Sequence, residues 1–240
     1  MHLLIGIDDT DNLESRGTGH RARQLAERLA EDHLAEPMGI TRHQLLVDAR
    51  IPYTSHNSSA CLLVETDEVE SIWKASRDFL LLNSANGSDV GLCLAAWEYI
   101  EEDVIVFGHR AKLEVLDILD VWRTASKSRI RCEGLTGTGG GVIGALAGIG
   151  LHREGNDGRF LWLPGLRELK GIYPVEEVIA KGHIERVCTL DHEELTPDAM
   201  VDVGEWVRPV LRNGKSTLYV EEQNHGWHIL SKDHIKNLSN

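Results

Sequence analysis

The sequence predicts a mixed α/β (α+β) protein. Three observations carry that expectation: apolar runs of strand length alternate with stretches of helical periodicity, turn-rich Asn/Ser/Gly segments separate them, and no internal repeat or low-complexity linker interrupts the pattern. At 240 residues and 42% hydrophobic content, the chain can form one large domain or two small ones around a real core.

Taken in order, residues 3–7 (LLIGI) form an apolar strand that ends at acids. From Gly19 the pattern becomes helical, with Ala22, Leu25 and Leu29 on one face and Arg21, Arg23, Glu27 and Arg28 outside. Residues 44–51 (QLLVDARI) and 60–65 (ACLLVE) read as strands separated by the polar PYTSHNSS. A helix over 67–82 turns Val69, Ile72, Trp73, Phe79 and Leu80 inward. After the turn-rich NSANGS, a helix is expected near 88–100 and a strand at 103–107 (DVIVF). The resulting β-β-α-α-β order over 44–107 suits a small ferredoxin-like α+β unit with one strand shared or missed. Helix resumes over 111–127 on Leu113, Leu116, Leu119 and Val121, and the glycine cluster in CEGLTGTGGGVIGALAGIG opens a helix of small residues. A strand follows at 159–163, and beyond Gly165 short β-like pieces at 217–221 and 227–230 accompany the turn RNGK.

Composition excludes several classes. No window holds the roughly 20 uncharged apolar residues that span a bilayer, and the N-terminus turns acidic within ten residues, unlike a signal peptide. Cys61, Cys93, Cys132 and Cys188 lie far apart, which argues against a zinc ribbon or a disulfide framework and for reduced thiols in the cytoplasm. The net charge of −13 repels a polyanion, and the densest basic stretch, Arg123, Lys127, Arg129 and Arg131, is short and lacks interleaved aromatics. Excess acid suits a bound divalent cation.

Asp8, Asp9 and Asp11 directly follow the first strand. Three carboxylates within four positions repel one another, and Mg²⁺ removes that repulsion while sharing its other positions with water and phosphates. Strand ends are also where ligands sit in open α/β sheets. Gly137, Thr138, Gly139, Gly140 and Gly141 form the second candidate. Glycines let backbone N–H groups approach an anion, and the following helix offers its positive end. No Gly-Lys-Ser/Thr follows, so this is not a Walker A loop; residues 139–144 spell GxGxxG, but no clear strand precedes them. An acidic metal loop and a glycine-rich phosphate loop are complementary halves of a nucleoside triphosphate site. His20, at the start of the first helix, is a candidate base, phosphate ligand or phosphoryl acceptor, and equally a surface histidine. Thr18 is the alternative acceptor or the helix N-cap. His56 and Asn57 are candidate substrate contacts or turn-stabilising residues.

GIDDTD near the N-terminus, RIPYTSHNSSACLLVE in the middle and GTGGGVIGALAGIG later resemble, in this order, the archaeal ATP-dependent 2-agmatinylcytidine synthetase family, which modifies an isoleucine tRNA. The resemblance covers about the first two thirds of the chain. It implies a kinase-like α/β domain with a ferredoxin-like domain, ATP and Mg²⁺ as cofactors, Asp8, Asp9 and Asp11 as metal and catalytic carboxylates, and Gly137 to Gly141 lining the nucleotide. The chain departs from the family's pattern at Thr18, Gly19 and His20, where the family carries Cys-Thr-Thr, and at Thr54 to Asn57, where it carries Thr-Arg-Gly-Asn. The family's zinc-ribbon cysteine pairs are absent, and nothing after 165 reads as its OB-fold.

The expected organisation is therefore a discontinuous kinase-like domain of residues 1–42 and 108–175, a ferredoxin-like domain of 43–107, and a β-rich extension over 176–240. The expected function is Mg-dependent ATP hydrolysis or phosphoryl transfer with an unassigned acceptor. A non-catalytic nucleotide sensor, a tRNA-modification factor that borrows RNA binding from a partner, and a structural protein stabilised by a cation are the alternatives. A nucleotide is the expected partner; an RNA substrate and a homodimer stay open.

Overall fold

A computed structural model describes residues 1–54, 56–223 and 226–239. The chain divides into two units, Met1–Glu154 and Gly155–Asn240.

The first unit begins with β1 (His2–Asp8), α1 (Thr18–Glu31), β2 (Glu36–Gln44), β3 (Ser58–Glu65), α2 (Val69–Asn83) and β4 (Gly91–Ala96). After a 3₁₀ turn at Trp97–Tyr99 come α3 (Glu102–Leu113), α4 (Ile118–Ala125), β5 (Arg131–Gly134) and α5 (Val142–Glu154). The strands lie in the order β5-β4-β1-β3-β2, every pair antiparallel. Strand alternation sends Leu4, Gly6 and Asp8 of β1 to one face and the fully buried Leu3, Ile5 and Ile7 to the other. α5 covers the first face, while α1 and α2 pack against each other. α1 buries the expected Ala22, Leu25 and Leu29, each leucine contributing roughly 1.5–3 kcal/mol of apolar burial.

α5 lies unusually close to the sheet and to α3 because glycines stand at each contact. A Cβ on Gly6 would stand 2.0 Å from the Ala145 carbonyl oxygen, one on Gly91 2.0 Å from Gly141 C and Val142 N, and one on Gly150 2.1 Å from the Val104 carbonyl oxygen. Val142 and Gly144 through His152 are buried, so the helix is apolar all round and sits between the sheet and α3.

Several expectations are corrected. The strand expected at 44–51 is β2, at Glu36–Gln44; Pro37 and the register shift between Pro37 and Gly39 disguise its alternation, while Asp48 and Arg50 close a turn beyond it. The helix expected near 88–100 is β4, whose GLCLAA is buried at every position because both faces of this inner strand are covered. The strand expected at 103–107 is part of α3: Val104, Phe107, Gly108 and Ala111 are its buried residues, a helical stripe that outweighs the β-branched run. The single helix expected over 111–127 is broken after Leu113, and α4 restarts at a capping box in which Asp117 and Asp120 exchange hydrogen bonds. Leu113 and Leu119, two of the four apolar positions behind that expectation, are exposed. A strand, β5, does precede the glycine cluster, but it runs antiparallel to β4 and so is no part of a parallel βαβ unit. Residues 43–107 share their sheet with β1 and lie inside the first unit, and the unit boundary falls at Glu154.

The second unit contains β6 (Arg159–Trp162), β7 (Ile172–Pro174), α6 (Val175–Gly182), β8 (Arg186–Cys188), β9 (Met200–Asp202), β10 (Val210–Arg212), β11 (Lys215–Gln223), β12 (Gly226–Ile229) and α7 (Lys232–Leu238). Its strands follow the order β6-β10-β11-β12-β9-β7, and β8 pairs in parallel with β11. The turn RNGK joins β10 to β11 through Asn213 and Gly214, both at positive φ. Leu163, Val178, Val187, Val201, Leu218 and Val220 are among its core residues.

Candidate functional site

β1 delivers the acidic loop to the start of α5. Asp8 points at Gly144, where a Cβ would stand 1.7 Å from Asp8 Oδ2; only glycine leaves room for the carboxylate. Asp8 Oδ1 accepts the Asp9 N–H at 2.8 Å. Burial raises the Asp8 carboxyl well above the ordinary range, its N–H partner and the Arg42 charge lower it, and Asp9 and Asp11 add to the rise.

Asp9 follows in the left-handed region, at φ 51°. For a non-glycine residue that is a strained setting, tolerated best by Asp and Asn. Its carboxyl is raised to about 6, first by burial and then by the charges of Asp89 and Asp11. Asp11 is tied on both oxygens: Thr18 N–H and Oγ1 donate to Oδ1 at 3.2 and 2.9 Å, and Thr54 Oγ1 donates to Oδ2 at 2.8 Å. Asp11 therefore caps α1 and fastens the loop around residue 54 to the acidic loop.

The glycine cluster reaches the same place. Gly137 and Gly139 adopt positive φ, and a Cβ on Gly137 would stand 1.6 Å from Asp89 Oδ1. Asp89 lies just before β4, and sequence reasoning missed it. Thr138 N–H and Oγ1 each donate to its carboxylate at 2.6 Å, and the Gly141 N–H donates to its carbonyl at 2.8 Å. Thr136 Oγ1 closes the loop by donating to the Ser88 carbonyl at 2.6 Å and accepting the Val90 N–H at 2.9 Å. Part of the donor set expected for phosphate thus holds an internal anion instead. The available signal was a lone aspartate in the turn-rich NSANGSD, which a reading centred on the glycines passes over.

The structure brings Asp8, Asp9, Asp11 and the residues 137–141 together, with Asp89 between the two loops. Thr18 is buried and its hydroxyl is committed to Asp11. His20 sits in the first turn of α1, partly exposed; partial burial and then Arg16, Arg23 and Arg21 push its imidazole down. Asn57 stabilises a turn: its Nδ2 donates to the Leu46 carbonyl at 2.7 Å, and its own carbonyl accepts from Leu45 N–H and Gln44 Nε2. His56 is exposed, and Ser55 beside it lies outside the described residues. Among the described residues, no three His, Cys, Asp or Glu side chains already stand as a cation cage, and no helix is long and apolar enough to cross a membrane.

The raised Asp9 carboxyl yields a stability prediction. The folded state holds this proton more tightly than the unfolded chain, so stability declines as pH rises from the ordinary carboxylate range through about 6, and the penalty is fully present above that. A shift of this size is worth about 3 kcal/mol, reduced to roughly 1–2 kcal/mol for a partly solvated group. Asp9→Asn is expected to raise the melting temperature of chelator-treated protein at pH 8 and to leave it nearly unchanged at pH 4. Equal melting of both proteins at pH 8 would contradict the strain.

Solved structures similar to this chain include the following three. A tRNA fluorescent labeling enzyme superposes with a TM-score of 0.55 at 27% identity, covering 62% of this chain and 36% of that one. The apo form of TiaS, an agmatidine synthetase acting on an isoleucine tRNA, does so with a TM-score of 0.54 at 25% identity, covering 62% and 35%. TiaS in complex with that tRNA and ATP gives 0.52 at 26% identity, covering 62% and 36%. The likeness therefore spans about a third of those chains' length. No family model and no curated protein matches the sequence.

Proposed function

We propose that this partial relative of the TiaS fold binds Mg·ATP between the acidic and glycine loops and cleaves or transfers its phosphates, as a cytoplasmic ATP-dependent enzyme of the tRNA-modifying kind. The observation that carries the reading is the convergence of Asp8, Asp9, Asp11 and Asp89 on the glycine-rich entrance of α5, in a fold similar to one solved with tRNA and ATP. Asp11 and Asp89 have hydrogen-bond donors of their own, but Asp8 and Asp9 crowd beside them with carboxyls driven toward protonation, a repulsion that a cation would relieve. The residues fit Mg²⁺ by chemistry: hard carboxylate oxygens, with Asp9 and Asp89 already acting on each other.

When bound, Mg²⁺ would neutralise charge developing on the phosphates. The chain's own residues supply the rest. Thr18 and Thr54 orient Asp11, Gly144 leaves the space that admits Asp8, and Asp89 holds the loop from Thr136 to Gly141 against the start of α5 through Thr138 and Gly141. Thr18, with its hydroxyl held by Asp11, is a positioning residue. His20, a partly exposed imidazole whose neighbouring arginines disfavour its protonation, is the better candidate to receive a phosphoryl group. The β-α-β-β-α-β succession from His2 to Ala96, with strand order β4-β1-β3-β2, supports reading residues 2–96 as the ferredoxin-like unit. α3 to α5 with the glycine loop then form the kinase-like part. The nucleic-acid substrate is proposed as a tRNA.

The test incubates the purified protein with Mg²⁺ and ATP and identifies the products. AMP with pyrophosphate is expected for synthetase chemistry. ADP would indicate ordinary phosphoryl transfer, and bound ATP without turnover a sensor. Asp9→Asn combined with Asp11→Asn should fold yet lose turnover by at least about 100-fold, the scale of removing a transition-state charge stabiliser. Undiminished turnover would remove the carboxylates from the site. A gel shift with total tRNA that weakens as salt rises would support the RNA substrate.

A further inference from the structure

A row of residues crosses the sheet of the first unit in register: Thr41 on β2 pairs with Cys61 on β3, Cys61 with Gly6 on β1, Gly6 with Cys93 on β4, and Cys93 with Cys132 on β5. Three of the four cysteines in the chain thus lie along one line that faces α5. Only one pair occupies neighbouring strands. Cys93 and Cys132 are directly opposed, and their sulfurs stand 2.9 Å apart, within about 1 Å of a covalent S–S length. Opposed residues in an antiparallel pair have Cα atoms about 4.5–5.5 Å apart, inside the window a disulfide accepts. Cys61 and Cys93 are separated by β1, hence by about 9.5 Å, beyond any disulfide.

We propose that Cys93 and Cys132 are a redox-modifiable pair whose disulfide staples β5 to β4. β5 is four residues long and stands at the edge of the sheet. On its other face the Arg131 guanidinium stacks 4.2 Å over the Trp73 ring, and Glu133 pairs with Arg77 at 2.9 Å. Cys132 is partly exposed, whereas Cys93 is buried and also donates to the Val142 carbonyl at 3.8 Å, so a reagent reaches Cys132 first. The oxidant is a small-molecule disulfide such as glutathione disulfide. The Cys132 thiolate attacks one of its sulfurs and expels one thiolate; Cys93, losing its proton, then attacks Cys132 Sγ and expels the second. Two electrons pass from the cysteines to the reagent, and two protons go to the departing thiolates. The strand so pinned runs directly into Leu135 and the glycine loop, so the covalent tie restrains the segment 131–141.

The 240-residue chain is treated with excess glutathione disulfide, weighed, and then denatured and alkylated without reductant. The expected product is a monomer lighter by two hydrogen atoms, with the peptides carrying 93 and 132 joined, two of the four cysteines still alkylatable, and full reversal by dithiothreitol. Amide exchange over 131–141 should slow, and the melting temperature should rise by at least about 5 °C. Cys132→Ser, or Cys132→Ala if serine perturbs the fold, should abolish all of these changes. Four alkylatable thiols after oxidation, a mixed disulfide that persists at Cys132, or a link between chains would overturn the pair. Unchanged exchange over 131–141 in the cross-linked monomer would overturn the staple.

Discussion

Replacing Gly91 by alanine is expected to unfold much of the first unit at 37 °C, with a loss of about 3 kcal/mol or more in urea denaturation. The added methyl would stand 2.0 Å from Gly141 C and Val142 N and 2.3 Å from the Gly141 carbonyl oxygen. All three are backbone atoms at the point where the glycine loop becomes α5, and the Gly141 N–H there donates to the Asp89 carbonyl. No flexible side chain is available to give way, so relief requires α5 to lift from the sheet and to lose its contacts along β1, β3 and β4. Gly140→Ala, one residue nearer the loop, is the matched control. Its Cβ would meet only Thr138 Oγ1 at 3.4 Å and Asp89 Oδ2 at 3.7 Å, so its denaturation midpoint should stay close to that of the parent. Comparable losses in both variants would mean that the glycines serve loop flexibility rather than close packing.

Acid should weaken the first unit through His152. This imidazole, in the last turn of α5, is buried, and burial followed by the neighbouring His43 lowers it to about 3. Thr41 Oγ1 lies 2.7 Å from His152 Nδ1 and 2.8 Å from His43 Nε2, so one hydroxyl bridges two buried rings. The Trp97 ring packs edge-on against His152, and the Arg153 guanidinium lies over that ring at 4.6 Å. The unfolded chain binds a proton at His152 near pH 6.5 and the folded chain does not until about pH 3, so this stability is complete above 6.5 and is lost as pH falls. Between about pH 7 and about pH 5 the loss attributable to His152 is about 2 kcal/mol. His152→Gln keeps the helix and one hydrogen-bonding group but cannot titrate, so the difference between parent and variant isolates the histidine from the opposing response of Asp9. Parallel pH profiles of the two proteins would refute the assignment.

α1 and α2 are legible because each keeps a wet face, so that a helical stripe survives in the residue order. β1 and β3 are buried on both faces and are legible instead as short continuous apolar runs of strand length. Periodicity assigns β4 and α3 to each other's class. β4 is buried on both faces and carries alanines that favour helix, and α3 carries a Val-Ile-Val-Phe stretch that favours strand. Only the packing of Val104, Phe107, Gly108 and Ala111 against α5 settles α3. At the site, the clustered acids and glycines are visible because clustering is itself unusual. Asp89 is not, since its role comes from Thr138 and Gly141, which reach it across some fifty positions of chain. The commitment of Thr18 to Asp11 is equally invisible, because it depends on where the acidic loop turns back on the helix.

The placement of β1 between β3 and β4 has a kinetic consequence. The first seven-residue strand finds its partners only at Ser58–Glu65 and Gly91–Ala96, and its inward face is covered only by a helix that begins at Val142. Loop closure over such separations must precede any reward from pairing, which slows the search toward the millisecond-to-second range of sheet-rich proteins. The acidic loop consequently acquires its geometry late, when residues more than 130 positions downstream arrive, and a nascent chain lacking α5 carries the aspartates with nothing to organise them.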